Sequence, residues 1–207
     1  MKRLYVEIDA KACAWMDELI KDGSLPPGDV WCRDLTTITA DEVSGYDERH
    51  WCAGIGVWAA ALEMAGWQGP CDTVSLPCQP FSCAGKQKGK DDERHLWPAF
   101  FEILRELRAP VIFGEQVQAA IAHGWIDRVF DDLESQDYAC GQIVLPACSV
   151  GAPHIRQRLW WVAHLQEHGR RQGYTLGYGS DERDSTGGSA GIDDCGESCG
   201  MDNTEDE

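Results

Sequence analysis

Residues able to do covalent or acid–base chemistry fall at a few distinct places in this sequence. The first is Pro77-Cys78-Gln79-Pro80-Phe81-Ser82, which follows the apolar run Val74-Ser75-Leu76 and leads into Gly85, Lys86, Lys88, Gly89 and Lys90. Prolines on both sides of the thiol remove backbone donors and favour a rigid, exposed turn. Cys78 therefore reads as a nucleophile presented at a sheet edge beneath a flexible basic lid. The alternative use of an unpaired cysteine is core packing.

A second place is Gly114-Glu115-Gln116-Val117, after the buried-type run Val111-Ile112-Phe113. A carboxyl at the mouth of a parallel sheet beside apolar residues has its pKa raised, so it can hold and donate a proton. A third is His154-Ile155-Arg156-Gln157-Arg158, ahead of the apolar strand Leu159–Ala163. Arginines two residues apart on a strand share a face and can fix a planar polar ligand or a phosphate. Cys52-Ala53-Gly54-Ile55-Gly56 ends a β-type run and opens a helix, where close backbone approach favours an anionic group. Glu7, Asp9 and Asp34 follow other β-type runs, where a carboxylate can accept hydrogen bonds from ribose hydroxyls. Each of these features, taken singly, is also met by a tight turn or a solvated surface charge.

The elements needed to position these groups alternate β and α. Strands are predicted at 4–8, 29–32, 50–53, 73–76, 111–113, 142–145 and 159–163. Helices are predicted at 10–21, 57–65, 96–107 and 121–134, with Ala12, Trp15, Met16 and Leu19 forming the packed stripe of the first. Gly66, Gly114 and Gly141 punctuate element ends. The alternation implies an α/β fold, a sheet covered by helices.

The chain has 207 residues, with 18 Lys+Arg against 35 Asp+Glu, a formal net charge of -17. That sign opposes gripping nucleic acid through a general positive field and leaves room only for a local basic patch. From Gln166 onward there are three basic and eleven acidic residues in a Gly/Ser-rich setting with few large apolar side chains. Such a segment cannot offset its ordering entropy, so residues 165–207 read as a disordered tail or linker after a body at 1–164. No apolar run has membrane-spanning length, and Met1 leads directly into a strand, so the expected compartment is the cytoplasm. The ten cysteines accordingly read as reduced thiols. Cys195 and Cys199 lack a second ligand pair at zinc-finger spacing, and no metal site is expected.

Taken together, Pro77-Cys78-Gln79-Pro80-Phe81-Ser82, Glu115-Gln116-Val117 and Arg156-Gln157-Arg158 resemble the catalytic motifs of DNA cytosine-5 methyltransferases, and Gly54-Ile55-Gly56 resembles their cofactor turn. The resemblance runs from about Tyr5 to Ala163. It implies a Rossmann-like, doubly wound sheet of the S-adenosylmethionine-dependent type, in a prokaryotic or phage-infected cell and a restriction–modification setting. It implies that Cys78 attacks carbon 6 of a cytosine flipped out of DNA, with Glu115 at ring nitrogen 3 and the exocyclic amine. Arg158, helped by Arg156, would hold the base oxygen and the backbone. S-adenosylmethionine would lie against Glu7, Ile8, Asp34, Gly54, Ile55, Gly56, Pro77 and Leu96, while Gln79, Ser82, Lys86 and Lys88 would meet DNA. Extrusion of the base is required because ring carbons are unreachable inside a stacked duplex.

The sequence departs from that family in three ways. Glu7 and Asp34 precede the glycine turn, which implies a permuted strand order that a parallel sheet accommodates with right-handed crossovers. The family's Glu-Asn-Val reads Glu115-Gln116-Val117, and its aromatic residue before the glycine turn is Cys52, with Trp51 and Trp58 nearby. After Ala163 no stretch is apolar enough for a target-recognition region, and the only asparagine is Asn203. The leading expectation is thus a catalytic half completed by a second polypeptide. The alternatives are a non-catalytic module that keeps the fold, and cytosine-5 methylation of RNA or of a free nucleotide.

Overall fold

The computed structural model describes residues 1–77 and 96–166. Cys78, Gln79, Ser82, Lys86, Lys88 and the segment from 167 onward lie outside the described residues. Seven strands form one sheet in the order β2-β1-β3-β4-β5-β7-β6. They are β1 (Arg3–Glu7), β2 (Asp29–Cys32), β3 (Glu48–Trp51), β4 (Cys71–Val74), β5 (Val111–Val117), β6 (Tyr138–Pro146) and β7 (Gln157–Leu165). Strands β1 to β5 are mutually parallel, and β7 inserts antiparallel between β5 and β6. Helices α1 (Ala10–Lys21), α2 (Ala40–Val43), α3 (Val57–Met64), α4 (Trp97–Leu107), α5 (Ala119–Ala122) and α6 (Trp125–Glu134) connect them. This is the Rossmann-like, doubly wound methyltransferase architecture implied by the motifs, in permuted order.

The two faces have separate cores. Leu4 and Val6 of β1 join Leu35, Val43, Phe100, Leu104, Ile126 and Val129 on one face, beneath α2, α4 and α6. Tyr5, between them, points the other way and packs with Met16 of α1, Leu25 and Ala59 of α3. The period-2 alternation of a strand puts successive residues on opposite faces, so one strand serves both cores.

This division fixes the hand of each crossover. β1–α1–β2 steps toward the β2 edge over the α1 face, while β2–α2–β3 and β4–α4–β5 step the opposite way over the opposite face. All three have one hand. β3–α3–β4 steps toward the β6 edge over the α1 face, which gives it the other hand. Parallel crossovers are right-handed in about 98% of cases, which makes β3–α3–β4 a left-handed exception. The expectation of uniformly right-handed crossovers fails here. The helix after the glycine turn stays on the α1 face, while the chain order sends it to β4.

Other element bounds differ from expectation for local reasons. β5 does not stop at Phe113 but runs to Val117, so Glu115 lies inside the strand. Gly114 is a mid-strand residue, not a terminator: a Cβ there would collide with the Trp161 indole. Gly141 is likewise interior to β6. The single helix expected at 121–134 is two, broken at Gly124 with φ 62°. Trp15 leaves the packed stripe of α1, being 56% exposed, and Cys13 takes its place beside Met16. Strand β3 begins at Glu48 because its polar residues are paired: Glu48 meets Arg3 and His50, and Arg49 meets Asp72.

Candidate active site

The carboxyl ends of the parallel strands lie along one edge of the sheet, the usual ligand edge of such folds. In spatial order they deliver Asp34 after β2, Glu7 from β1, Cys52 and Gly54 after β3, Ser75 and Pro77 after β4, and Glu115 from β5. Because β7 is antiparallel, Arg158 near its start and Arg156 just before it arrive at the same edge. Residues scattered over the whole sequence are therefore gathered by topology alone.

Glu7 organises the centre. Its Oε1 accepts the N–H groups of Ile8 and Asp9 at 2.8 and 3.0 Å, and its Oε2 accepts the Gly54 N–H at 2.8 Å. Cys52, Gly54 and Gly56 take left-handed backbone conformations, with φ of 52°, 60° and 79°. At Gly56 a Cβ would meet Leu25 at 2.7 Å, so glycine is required there. At Gly54 a Cβ would point into open space, leaving the backbone accessible. Asp34 caps the 3-10 turn Leu35–Thr37, its Oδ1 accepting the N–H and hydroxyl of Thr36 at 2.9 and 2.8 Å.

A cavity of about 430 Å³ opens on this edge. It is lined by five of the expected cofactor residues, Glu7, Ile8, Asp34, Pro77 and Leu96. Gly54, Ile55 and Gly56 do not line it directly. Gly54 reaches it through its bond to Glu7, and Ile55 is half exposed. The lining also includes Arg33, Leu35, Cys52 and Ser75, which the motifs did not single out as cofactor residues. Ser75 is held there by the Trp58 indole N–H at 3.0 Å. Cys52 is pushed up to about 12, first by burial and then by the Glu7 and Asp34 carboxylates, so its thiol is neutral. Trp51 and Trp58 do not reach the cavity. Trp51 is 0% exposed against Phe100, and Trp58 stacks on Phe113 on the other face.

The cavity fits S-adenosylmethionine in size and donor set. Small-molecule sites span roughly 300–1,000 Å³ with mostly apolar walls and a few placed polar groups. Here the Glu7 carboxylate and a second carboxylate, Asp34, near the outer strand lie among Val6, Leu35 and Leu96.

Beside it, Arg158 Nε donates to Glu115 Oε1 at 2.7 Å. Burial raises the Glu115 pKa, and Arg158 and then Arg156 pull it down without cancelling the rise. The next residue, Gln116, is 3% exposed; its Nε2 donates to the Leu76 carbonyl at 3.3 Å and its Oε1 accepts the Val117 N–H at 2.9 Å. Glutamine thus ties β5 to the chain two residues before Cys78. Arg156 has φ 34° at the entry to β7, where its carbonyl and that of Ile155 accept the Ala147 N–H.

Fold and site together define a Rossmann-like sheet of the methyltransferase type, with its candidate ligand groups on the carboxyl edge. The profile of C-5 cytosine-specific DNA methylases matches residues 73–184, just over half of the chain, and the chain belongs to that family. S-adenosylmethionine is the methyl donor of these enzymes. The chain is 35% identical over 95 residues to the Type II methyltransferase M.HhaI of Haemophilus parahaemolyticus, covering 43% of this chain and 28% of that protein. It is 28% identical over 164 residues to M.NaeI of Lentzea aerocolonigenes, covering 78% of this chain and 34% of that protein. The methyltransferase EhMeth of Entamoeba histolytica shares the fold, with a TM-score of 0.50 at 15% identity over 82% of this chain and 54% of that one. The chain spans about a fifth to a third of the length of the curated relatives it matches. No described helix is long and apolar enough to cross a membrane.

Proposed function

We propose that this chain transfers a methyl group from S-adenosylmethionine to carbon 5 of cytosine in DNA through a covalent adduct with Cys78, and that a second polypeptide supplies target recognition. The observation that carries this reading is the Glu115–Arg158 pair on the carboxyl edge, next to Gln116, which donates to the Leu76 carbonyl at the end of the segment that leads in sequence to Cys78.

The roles follow from the chemistry. The Cys78 thiolate forms a bond to carbon 6 of the flipped base, and the electrons of the 5,6 double bond move to carbon 5. Glu115 in its protonated form donates to ring nitrogen 3 as that charge develops, which its raised pKa favours. Arg158 and Arg156 hold the base oxygen and the backbone, and their charge favours the thiolate. S-adenosylmethionine supplies an electrophilic methyl group, with Glu7, Asp34 and the Gly54–Gly56 turn as its holders. Loss of the carbon-5 proton then restores the double bond and releases the thiolate. Gln79, Ser82, Lys86 and Lys88 are assigned to DNA contact, and 1–164 and 165–207 to catalytic body and tail.

The net charge of -17, which opposes unaided DNA binding, supports the need for a second polypeptide. The test is covalent trapping. Purified chain, with the proteins that co-purify with it, is incubated with S-adenosylmethionine and DNA containing 5-fluorocytosine, then digested and mapped. A crosslinked peptide containing Cys78 is expected, absent from Cys78→Ser. No adduct on DNA, with labelled methyl entering RNA or dCMP instead, overturns the DNA assignment. No adduct or methyl transfer on any substrate overturns the enzymatic one.

A further inference from the structure

Two cysteines meet just behind the wall of the cavity. Cys32 is the last residue of β2 and shares a face with Val30, which packs against the α1-side core. Cys13 stands near the start of α1, three residues before Met16 of that same core. The two thiols hydrogen-bond to each other. Their sulfurs also reach consecutive carbonyls of the turn between β1 and α1. Cys13 Sγ donates to the Glu7 carbonyl at 3.5 Å, and Cys32 Sγ to the Ile8 carbonyl at 3.9 Å. Cys32 is exposed and Cys13 is buried. Burial first, and then Cys32, pushes the Cys13 thiol up to about 12, so it stays protonated and shielded from solution. Cys32 is the sulfur that a dissolved reagent meets.

A bond between these sulfurs would join two parts of the cavity wall. Glu7 and Ile8, whose carbonyls hold the thiols, line the cavity, and so do Arg33 and Asp34, which follow Cys32 directly. The two segments are already linked, because the Arg33 N–H donates to the Glu7 carbonyl at 2.9 Å. A disulfide holds its sulfurs about 2.05 Å apart, closer than two hydrogen-bonded thiols stand. Forming it therefore shifts the β1–α1 turn against the end of β2, and Glu7 and Asp34 move with them.

We propose that Cys13 and Cys32 are a reversible covalent modification site: a low-molecular-weight disulfide such as oxidised glutathione converts them to an intrachain disulfide, and that bond lowers the affinity of the cavity for S-adenosyl ligands. The second half rests on the reading of the cavity as the S-adenosylmethionine site. The Cys32 thiolate attacks one sulfur of the reagent, whose S–S bond breaks and releases one glutathione thiolate. Cys13 then gives up its proton, and its sulfur attacks the Cys32 sulfur and expels the second glutathione thiolate. Both released thiolates take up a proton, so two protein thiols are oxidised and one disulfide is reduced to two thiols. Contact with Cys32 makes the second step intramolecular, which offsets the raised pKa of Cys13. An exposed disulfide of this kind is readily reduced again.

The test exposes the whole reduced chain to oxidised glutathione at about pH 8.5, where an ordinary thiol is half ionised. Peptide mapping without reduction is expected to find Cys13 linked to Cys32. In Cys13→Ala, Cys32 should carry a glutathione adduct instead. Calorimetry with S-adenosylhomocysteine should show affinity weakened about tenfold or more in the oxidised chain, the scale on which displaced binding groups act, and restored by dithiothreitol. Cys32→Ala, treated alike, should keep its affinity, which separates this bond from oxidation of Cys52 or Cys78. No Cys13–Cys32 peptide in the wild type overturns the proposal, whether or not Cys32 carries glutathione. A linked peptide with unchanged affinity overturns it too, as does an equal loss of affinity in Cys32→Ala. Reduced wild type that binds no S-adenosylhomocysteine overturns the cofactor reading and the affinity half with it, while the linked peptide still decides the modification site.

Discussion

Gly54 and Glu7 lie 47 residues apart in the chain, yet the Gly54 N–H donates to Glu7 Oε2 at 2.8 Å, and this bond is the hinge of the permuted fold. It joins the end of β1 to the turn after β3, which are neighbours in the sheet although β2 intervenes in sequence. Permutation changes which loops connect the strands without moving the strand ends, so the convergent edge survives. Its structural consequence is the reversed hand of β3–α3–β4. A sheet otherwise wound in the common sense accepts that because α3 keeps its packing against Tyr5 and Leu25.

The first prediction tests that hinge. Glu7→Gln places an amide N–H₂ where one carboxylate oxygen now accepts backbone N–H groups from Ile8, Asp9 or Gly54. At least one donor loses its partner, and hydrogen bonds to charged groups contribute about 1.5–3 kcal/mol. The expected result is a loss of about 1–2 kcal/mol in urea unfolding, with weakened S-adenosylhomocysteine binding. Unchanged unfolding would show that the turn is held by its glycines alone.

A second prediction concerns Gly114. Adding a methyl group places it inside the Trp161 ring, at 1.9 Å, with β5 and β7 both fixed by ladder bonds on either side. Overpacking of this kind costs about 1–3 kcal/mol. Gly114→Ala should therefore lower the denaturation midpoint and shift the tryptophan emission. Adding Trp161→Phe should recover part of the loss, because the smaller ring vacates the contact. Additive losses in the double variant would contradict this account.

Gly114 also shows where the sequence is a poor guide. A glycine followed by Glu115-Gln116 reads as the end of a strand, but here the glycine is the hollow that admits Trp161 from the neighbouring strand. The same failure, a long-range contact overriding local composition, hides the start of β3. Glu48-Arg49 looks like a loop until Arg3 and Asp72 arrive from adjacent elements to pair with it. By contrast, the bounds of α1 and β2 were legible outright, since Asp9 is a local cap and β2 follows directly on a proline-rich turn. The motifs mark Glu115 and Arg158 as candidates, while the ion pair between them depends on β7 running antiparallel. Arg33 and Ser75 carry no motif, and only the cavity reveals them.

A third prediction is the acid sensitivity of β3. Burial by itself would raise the Glu48 carboxyl, but hydrogen bonds from His50 and Arg3 outweigh it and bring it down to about 2. Burial also lowers His50, which is neutral at pH 7; the tautomer satisfying both neighbours carries its proton on Nε2 and accepts the Thr73 hydroxyl at Nδ1. A depressed carboxyl contributes stability that is complete above its unfolded value of 4.5 and is lost as pH falls from there toward about 2. Glu48→Gln should remove this dependence, so the stability gap between wild type and variant narrows by on the order of 3 kcal/mol between pH 5 and pH 2. Urea midpoints at fixed pH steps across that window measure it. A gap independent of pH would mean Glu48 is not ionised in the fold.

The last prediction addresses Glu115, whose shift runs the other way. Burial raises its pKa while Arg158, at 2.7 Å, is the largest influence lowering it. Removing the guanidinium leaves the burial and takes away the offset, so Arg158→Ala should raise the Glu115 pKa further. Carbon-13 NMR of labelled glutamate side chains would follow it directly, with no need for turnover. The native form binds more protons than the unfolded one between 4.5 and the raised value, so this group's contribution to stability falls as pH rises through that interval and then stays low. In Arg158→Ala the interval should extend to higher pH. Arg158→Lys retains a charge but not the planar guanidinium whose Nε meets Glu115, and should give an intermediate value. A Glu115 pKa that moves down in Arg158→Ala would show that another cation replaces the arginine, and the paired acid–guanidinium site would lose its physical basis.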